Sequence, residues 1–102
     1  MSNPLTKEEI INVLRQQKDL LQKKFYVKSI GIFGSFARNE ANEKSDIDFL
    51  VEIDAPLQIY VSNRLALSDY LQNLFQREVD LANPDSLKPH YKTRILKQAV
   101  YA

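Results

Sequence analysis

The chain is poor in the residues that most often announce chemistry. It has no cysteine, a single histidine and only two glycines. Without cysteine there are no disulfides and no thiolate metal sites, a composition compatible with a reducing cytosol. The one histidine, His90, has neither a second histidine nor a cysteine to complete a ligand set. It is read as a surface residue, not as a metal ligand or a catalytic base. An excess of charge of one sign is missing too. Fourteen basic against thirteen acidic side chains leave a formal net charge of +1, so direct nucleic-acid binding is not expected. No apolar run approaches the length that spans a membrane, and the N-terminus lacks the basic-then-apolar pattern of a signal peptide. The expected setting is the cytoplasm. Within these exclusions, 102 residues with 44% hydrophobic and 26% charged content describe one soluble domain, residues 1–102, with one core.

Both glycines, Gly31 and Gly34, stand at the mouth of one stretch: Gly34-Ser35-Phe36-Ala37-Arg38, then Ser45-Asp46-Ile47-Asp48-Phe49-Leu50-Val51. Tyr26 to Phe33 is β-rich and runs into Gly34-Ser35. Ser35 is the expected N-cap of a short helix opened by Phe36-Ala37-Arg38. Backbone N–H groups at such a turn form a natural phosphate seat, to which Ser35 adds a hydroxyl and Arg38 a charged donor. Asn39 to Lys44 is polar loop. Ser45 to Ile53 then reads as a strand, so Asp46 and Asp48 share one face while Ile47, Phe49, Val51 and Ile53 share the other. Aspartate is a poor strand residue, and two on one face repel each other unless a cation is shared. Two of them in an otherwise good strand imply a compensating role. Carboxylates at i and i+2, about 6–7 Å apart at Cα, can converge on a hard cation. Mg²⁺ takes one or two carboxylates plus substrate phosphates. The stretch outlines a site for metal-assisted phosphoryl or nucleotidyl transfer.

The remaining chain supplies scaffold. Met1 to Leu5 is an expected frayed leader. Thr6 to Glu9 is a capping-box pattern, and Ile10, Val13, Leu14, Gln17 and Leu21 follow at helical spacing, predicting a helix over 7–24 with one polar interruption. Its charged face, Arg15, Lys18, Asp19 and Lys23, is a solvated one. Asp54-Ala55-Pro56 is a helix start. The helix expected over 57–76 carries a core stripe of Leu67, Leu71, Leu74 and Phe75. Leu57, Tyr60, Val61 and Leu65 widen it beyond what one small core needs, and part of it, around Tyr60 or Tyr70, is a candidate protein contact. Glu78 to Ala82 is a short strand with Asp80 on the face opposite Val79 and Leu81; Glu52 and Glu78 are peripheral acids. A last helix over 89–101 has an apolar side of Tyr91, Ile95, Leu96 and Val100 and a basic side of Lys92, Arg94 and Lys97. The basic side suits either a phosphate or the helix dipole.

The Gly34-Ser35 turn with Ser45-Asp46-Ile47-Asp48 in a second apolar strand resembles the signature of the DNA polymerase β-type nucleotidyltransferase superfamily. The fuller form, Gly34-Ser-Phe-Ala-Arg38, resembles its minimal nucleotidyltransferases (MNT domains). Many relatives carry glycine where this chain has Asn39, a residue that tolerates the left-handed conformation. The resemblance covers nearly the whole chain and implies an α/β (α+β) nucleotidyltransferase fold, a small mixed sheet packed with helices in the order α-β-α-β-α-β-α. Its carboxylates are expected at one edge of the sheet, facing the Gly-Ser turn. It also implies that Asp80 is a third carboxylate beside Asp46 and Asp48, ligating Mg²⁺ and able to accept the nucleophile's proton. Gly34, Ser35 and Arg38 would hold the phosphates of ATP. By the same resemblance, the acceptor would be a tyrosine hydroxyl of a HEPN-domain toxin, silenced by AMP transfer from this chain as its antitoxin. A small hydroxyl compound as acceptor, or a non-catalytic antitoxin that neutralises its partner by occlusion, stay open, as does a homo- or hetero-oligomeric state.

Overall fold

The computed structural model describes residues 5–102; residues 1–4 of the expected leader lie outside it. The first helical segment is capped as its sequence suggests. The Thr6 hydroxyl accepts from the Glu9 N–H (3.1 Å) and donates to the Glu9 carboxylate (3.2 Å). The segment is two helices, however: α1 (Lys7–Gln16) and α2 (Lys18–Phe25). The bend falls at Gln17, the polar interruption in the apolar stripe, where φ is −94° and ψ is 3°. Backbone bonding carries across it, Gln17 N–H to Val13 and Leu21 N–H to Gln17 at 3.0 and 2.9 Å. The Gln17 side chain accepts the Tyr70 hydroxyl at 2.6 Å. A polar side chain on a buried stripe is thus satisfied by a distant helix.

Tyr26, left-handed at φ 57°, ends α2 and starts β1 (Val27–Phe33). There follow α3 (Gly34–Ala37), β2 (Ile47–Ile53), a 3₁₀ turn at Leu57–Ile59, α4 (Tyr60–Phe75), β3 (Val79–Ala82), a 3₁₀ turn at Pro84–Ser86, and α5 (Pro89–Gln98). The last helix stops three residues short of the expected Tyr101, and the chain turns into β4 (Val100–Tyr101). The sheet has the order β3-β2-β1-β4. β1 runs antiparallel to both β2 and β4, and β2 runs parallel to β3. Gly31 is explained by β4 rather than by the turn: a Cβ there would lie 2.6 Å from the Val100 carbonyl oxygen. Only a glycine lets the fourth strand close on β1.

The two faces of the sheet differ. Ile32, Ile47, Phe49 and Val51 pack against Ile10, Leu14, Leu21, Leu67 and Leu71, all between 0 and 2% exposed. Asn63, the one buried polar side chain among the described residues, donates to the Phe25 carbonyl (2.7 Å) and fixes α4 to the end of α2. Leu67 and Leu71 are the core stripe of α4, while Leu57, Val61 and Leu65 are 91, 70 and 64% exposed. The expected widening of the stripe is therefore a surface feature, displaced from Tyr60 and Tyr70, which are half-buried. The opposite sheet face carries Asp48, Leu50 and Glu52. It meets the Pro84–Ser86 turn at β2 and α5 at β1. No helix among the described residues is long and apolar enough to cross a membrane.

Candidate functional site

Strand order gathers the singled-out residues at one end of the sheet. Because β1 and β2 are antiparallel, the end of β1 meets the start of β2, with Phe33 opposite Asp48. Because β3 runs parallel to β2, Asp48 and Asp80 stand in register side by side, and register partners share a face. Asp46 lies one residue ahead of β2. The acids therefore sit at the strand ends, Asp46 and Asp48 at the start of the internal strand β2 and Asp80 on the edge strand β3. Glu52 is four residues further along β2, opposite Ser29, which places it about 13 Å from Asp48 and outside the group.

Gly34 has φ +72°, and a Cβ on it would lie 2.2 Å from Asp48 Oδ2. Two independent constraints, a left-handed backbone and contact with a carboxylate, thus exclude a side chain there. The positive φ makes the bend itself. As a result α3 begins at Gly34 with Phe33 as its cap, and Ser35 is inside the helix rather than capping it. The turn is closed by Arg38 N–H to Gly34 O (3.1 Å) and Glu40 N–H to Ser35 O (2.8 Å). Asn39 is left-handed at φ 59°, as its tolerance for that region allows. Among the described residues the Ser35 hydroxyl has no hydrogen-bond partner, and it faces the cleft described below.

Burial pushes the Asp48 carboxyl above its ordinary pKa, and the charges of Asp80 and then Asp46 push it further; Arg38 opposes them. A partly desolvated acid flanked by two others is an arrangement that a bound cation would stabilise. Oxygen donors of this kind suit a hard divalent ion. No three such side chains among the described residues converge tightly enough to enclose an ion by themselves.

Asp48 borders an open cleft of about 630 Å³, lined on the same side by Phe33, Gly34, Ser35 and Arg38; Asp46 and Asp80 are not among its lining residues. Its other wall is the α5 stripe Tyr91, Arg94, Ile95 and Gln98. Arg38 ties the two walls, donating to Glu40 (3.0 Å) and to Gln98 (3.2 Å). A smaller hollow of about 370 Å³, between α2 and the β1–β4 edge, contains none of these groups. Sequence reasoning placed Tyr91 on the apolar side of its helix and missed Gln98. It also missed Arg77, which donates to the Asn42 and Ser45 carbonyls (both 2.9 Å) and lies over the Phe36 ring (5.1 Å). Arg77 thereby holds the loop that delivers Asp46. The arginine stands immediately before the Glu78-Val79-Asp80 strand, but nothing local shows that it reaches back 32 residues.

Comparison with known proteins agrees with this fold. The nucleotidyltransferase domain family matches residues 14–102. A candidate protein adenylyltransferase of Methanocaldococcus jannaschii is 44% identical over 98 residues, covering 94% of this chain and 97% of that one. The protein adenylyltransferase MntA of Thermococcus cleftensis is 38% identical over 97 residues, covering 95 and 96%. Among solved structures, a candidate minimal nucleotidyltransferase superposes with a TM-score of 0.74 at 26% identity, covering 97% of this chain and 98% of that one. An MNT antitoxin solved in complex with a tri-AMPylated Shewanella oneidensis HEPN toxin shares the fold, with a TM-score of 0.58 at 20% identity, covering 88 and 69%.

Proposed function

The chain belongs to the nucleotidyltransferase domain family, and on that footing we propose that it transfers AMP from ATP to a tyrosine hydroxyl of a HEPN-domain toxin, acting as the antitoxin. One observation carries the reading: Asp48 and Asp80 lie in register beside a glycine whose missing Cβ is filled by the Asp48 carboxylate, at the mouth of an open cleft. Asp46, Asp48 and Asp80 would hold Mg²⁺, which supplies charge neutralisation at the triphosphate. The Gly34-Ser35 turn and Arg38 orient the phosphate chain. The acceptor hydroxyl attacks the α-phosphorus in line, pyrophosphate leaves, and Asp80 would take the hydroxyl proton. ATP as donor fits a cytosolic setting.

A protein acceptor is favoured by the exposed row of Leu57, in the 3₁₀ turn before α4, and Val61 and Leu65 on α4, 91, 70 and 64% accessible. Such a surface serves a partner better than a small molecule. It is consistent with the adenylyltransferase relatives and with the HEPN complex whose antitoxin shares this fold.

The test is the intact mass of a co-expressed HEPN partner after incubation with this chain, ATP and Mg²⁺. Mass increments of AMP, absent with the Asp46→Ala/Asp48→Ala variant, establish the reaction. A stable complex and an inhibited partner with no mass change would replace it with neutralisation by occlusion.

A further inference from the structure

The cleft wall formed by α5 is divided in a way that matches one class of ligand. Tyr91, Arg94, Ile95 and Gln98 are spaced i, i+3, i+4 and i+7, so they form one helix stripe, and all four border the cleft. Gln98 is fastened to Arg38 beside the Gly34-Ser35 turn (3.2 Å). Tyr91 lies seven residues before it, about 10 Å along the helix axis. Its ring is half exposed, has the His90 ring against it at 4.6 Å and Ile95 one turn away, so that end of the wall is aromatic and apolar. Arg94 stands between the two ends.

The cations of the cleft are not equivalent. Arg38 is engaged by Glu40 and Gln98. On α5, Lys92 is engaged by Asp85 at 3.5 Å. Arg94 faces the cleft with no ion pair or hydrogen bond among the described residues. A free guanidinium midway between a Gly-Ser turn and an aromatic ring has the layout of a nucleoside polyphosphate: anionic chain near the turn, planar base about 10 Å off.

We propose that α5 is the nucleotide-binding wall of this site, with Arg94 binding the phosphate chain of the donor and Tyr91 stacking on its base. The inference rests on the nucleotide-transfer reading above and names residues that reading does not need. Arginine suits phosphate because its planar fork donates in pairs. An aromatic face stacks on any base, so Tyr91 contributes affinity more than choice of base.

The test is calorimetric titration of the isolated chain with ATP and with AMP, each with Mg²⁺ and without acceptor. Arg94→Ala weakens ATP by about ten- to a hundredfold and AMP much less. Tyr91→Ala weakens both by about tenfold, and Tyr91→Phe restores both to within about twofold. Lys97→Ala, which removes the same charge from the same helix away from the cleft, changes neither. Equal binding by wild type, Arg94→Ala and Tyr91→Ala would overturn the proposal, as would a Tyr91→Ala defect confined to the KM of the acceptor. AMP transfer by wild type in the face of such equal binding would leave the proposed function standing and remove only this one. ATP binding by wild type with the predicted variant pattern, but no transfer to any HEPN partner, would do the reverse.

Discussion

On one face of the sheet, Ile32, Ile47, Phe49 and Val51 are sealed under α1, α2 and α4 at 0–2% exposure. On the other, α5 contributes no buried residue at all, and Asp48 is only half-buried. The same strand, β2, supplies both. Its odd positions, Ile47, Phe49 and Val51, build the core, and its even positions carry Asp48 and Glu52 on either side of the buried Leu50. Affinity for a polyanion needs unpaired donors and water access, which a packed face forbids. A small sheet meets both demands by giving most of its packing to one side and its acids to the other, where Leu50 alone of the β2 side chains is sealed.

The largest effect expected on this division is functional and leaves the core intact. Asp46→Ala/Asp48→Ala should lower AMP transfer about a thousandfold or more, since a held metal supplies several kcal/mol of transition-state stabilisation, while the unfolding curve stays cooperative. The converse comes from the odd side of the same strand. Phe49→Ala should cost about 3–5 kcal/mol in denaturant unfolding, because Phe49 is fully buried and packs on Phe75 at 5.7 Å. Should Phe49→Ala unfold no more easily than wild type, the two faces would not be distinct in the way described.

Gly34→Ala probes the seam between the faces. The positive φ alone costs about 1–2 kcal/mol for a residue with a Cβ, and the clash with Asp48 moves a proposed ligand. Nucleotide affinity, read by titration, should therefore fall further than stability does.

The smallest effect concerns pH. The folded Asp48 carboxyl titrates above its unfolded value, so between those two values the native state holds more protons than the unfolded one. Its contribution to stability is then present below the unfolded pKa and is lost as pH rises through the folded one. Asp48→Asn should thus match wild type at acid pH and exceed it at pH 7 by less than about 1 kcal/mol, the site being partly exposed. Thermal unfolding across pH checks this. Mg²⁺ should narrow the gap by stabilising wild type alone.

Much of this was legible locally. Gly34, Asp46 and Asp48 are visible because alternation along a strand fixes which side chains share a face, and because glycine and aspartate are conspicuous beside apolar strands; Asp80 joined them only through the family resemblance. The core positions Leu14, Leu21, Phe49, Leu67 and Leu71 follow from the same periodicities. What escaped depends on contacts far apart in sequence. Gln17 marks an interruption, but only Tyr70, 53 residues away, shows why it becomes a bend. Val100-Tyr101 looks like the end of a helix until Gly31 supplies a strand to pair with. Ser35 seemed a cap because its type suits one, whereas the backbone of Gly34 had already made the turn. Leu57, Val61 and Leu65 have helical spacing, but spacing cannot distinguish a buried face from an exposed one.

The pairing of Asp48 with Asp80 has a consequence for how the molecule assembles. A slip of β3 by one residue against β2 would turn Asp80 into the apolar layer and lift Val79 and Leu81 out of it. Burying that unpaired charge is far more costly than burying valine. Misaligned chains are therefore discarded on energetic grounds before any nucleotide is met, and a chain that has reached its lowest-energy sheet has, by the same event, aligned its acids.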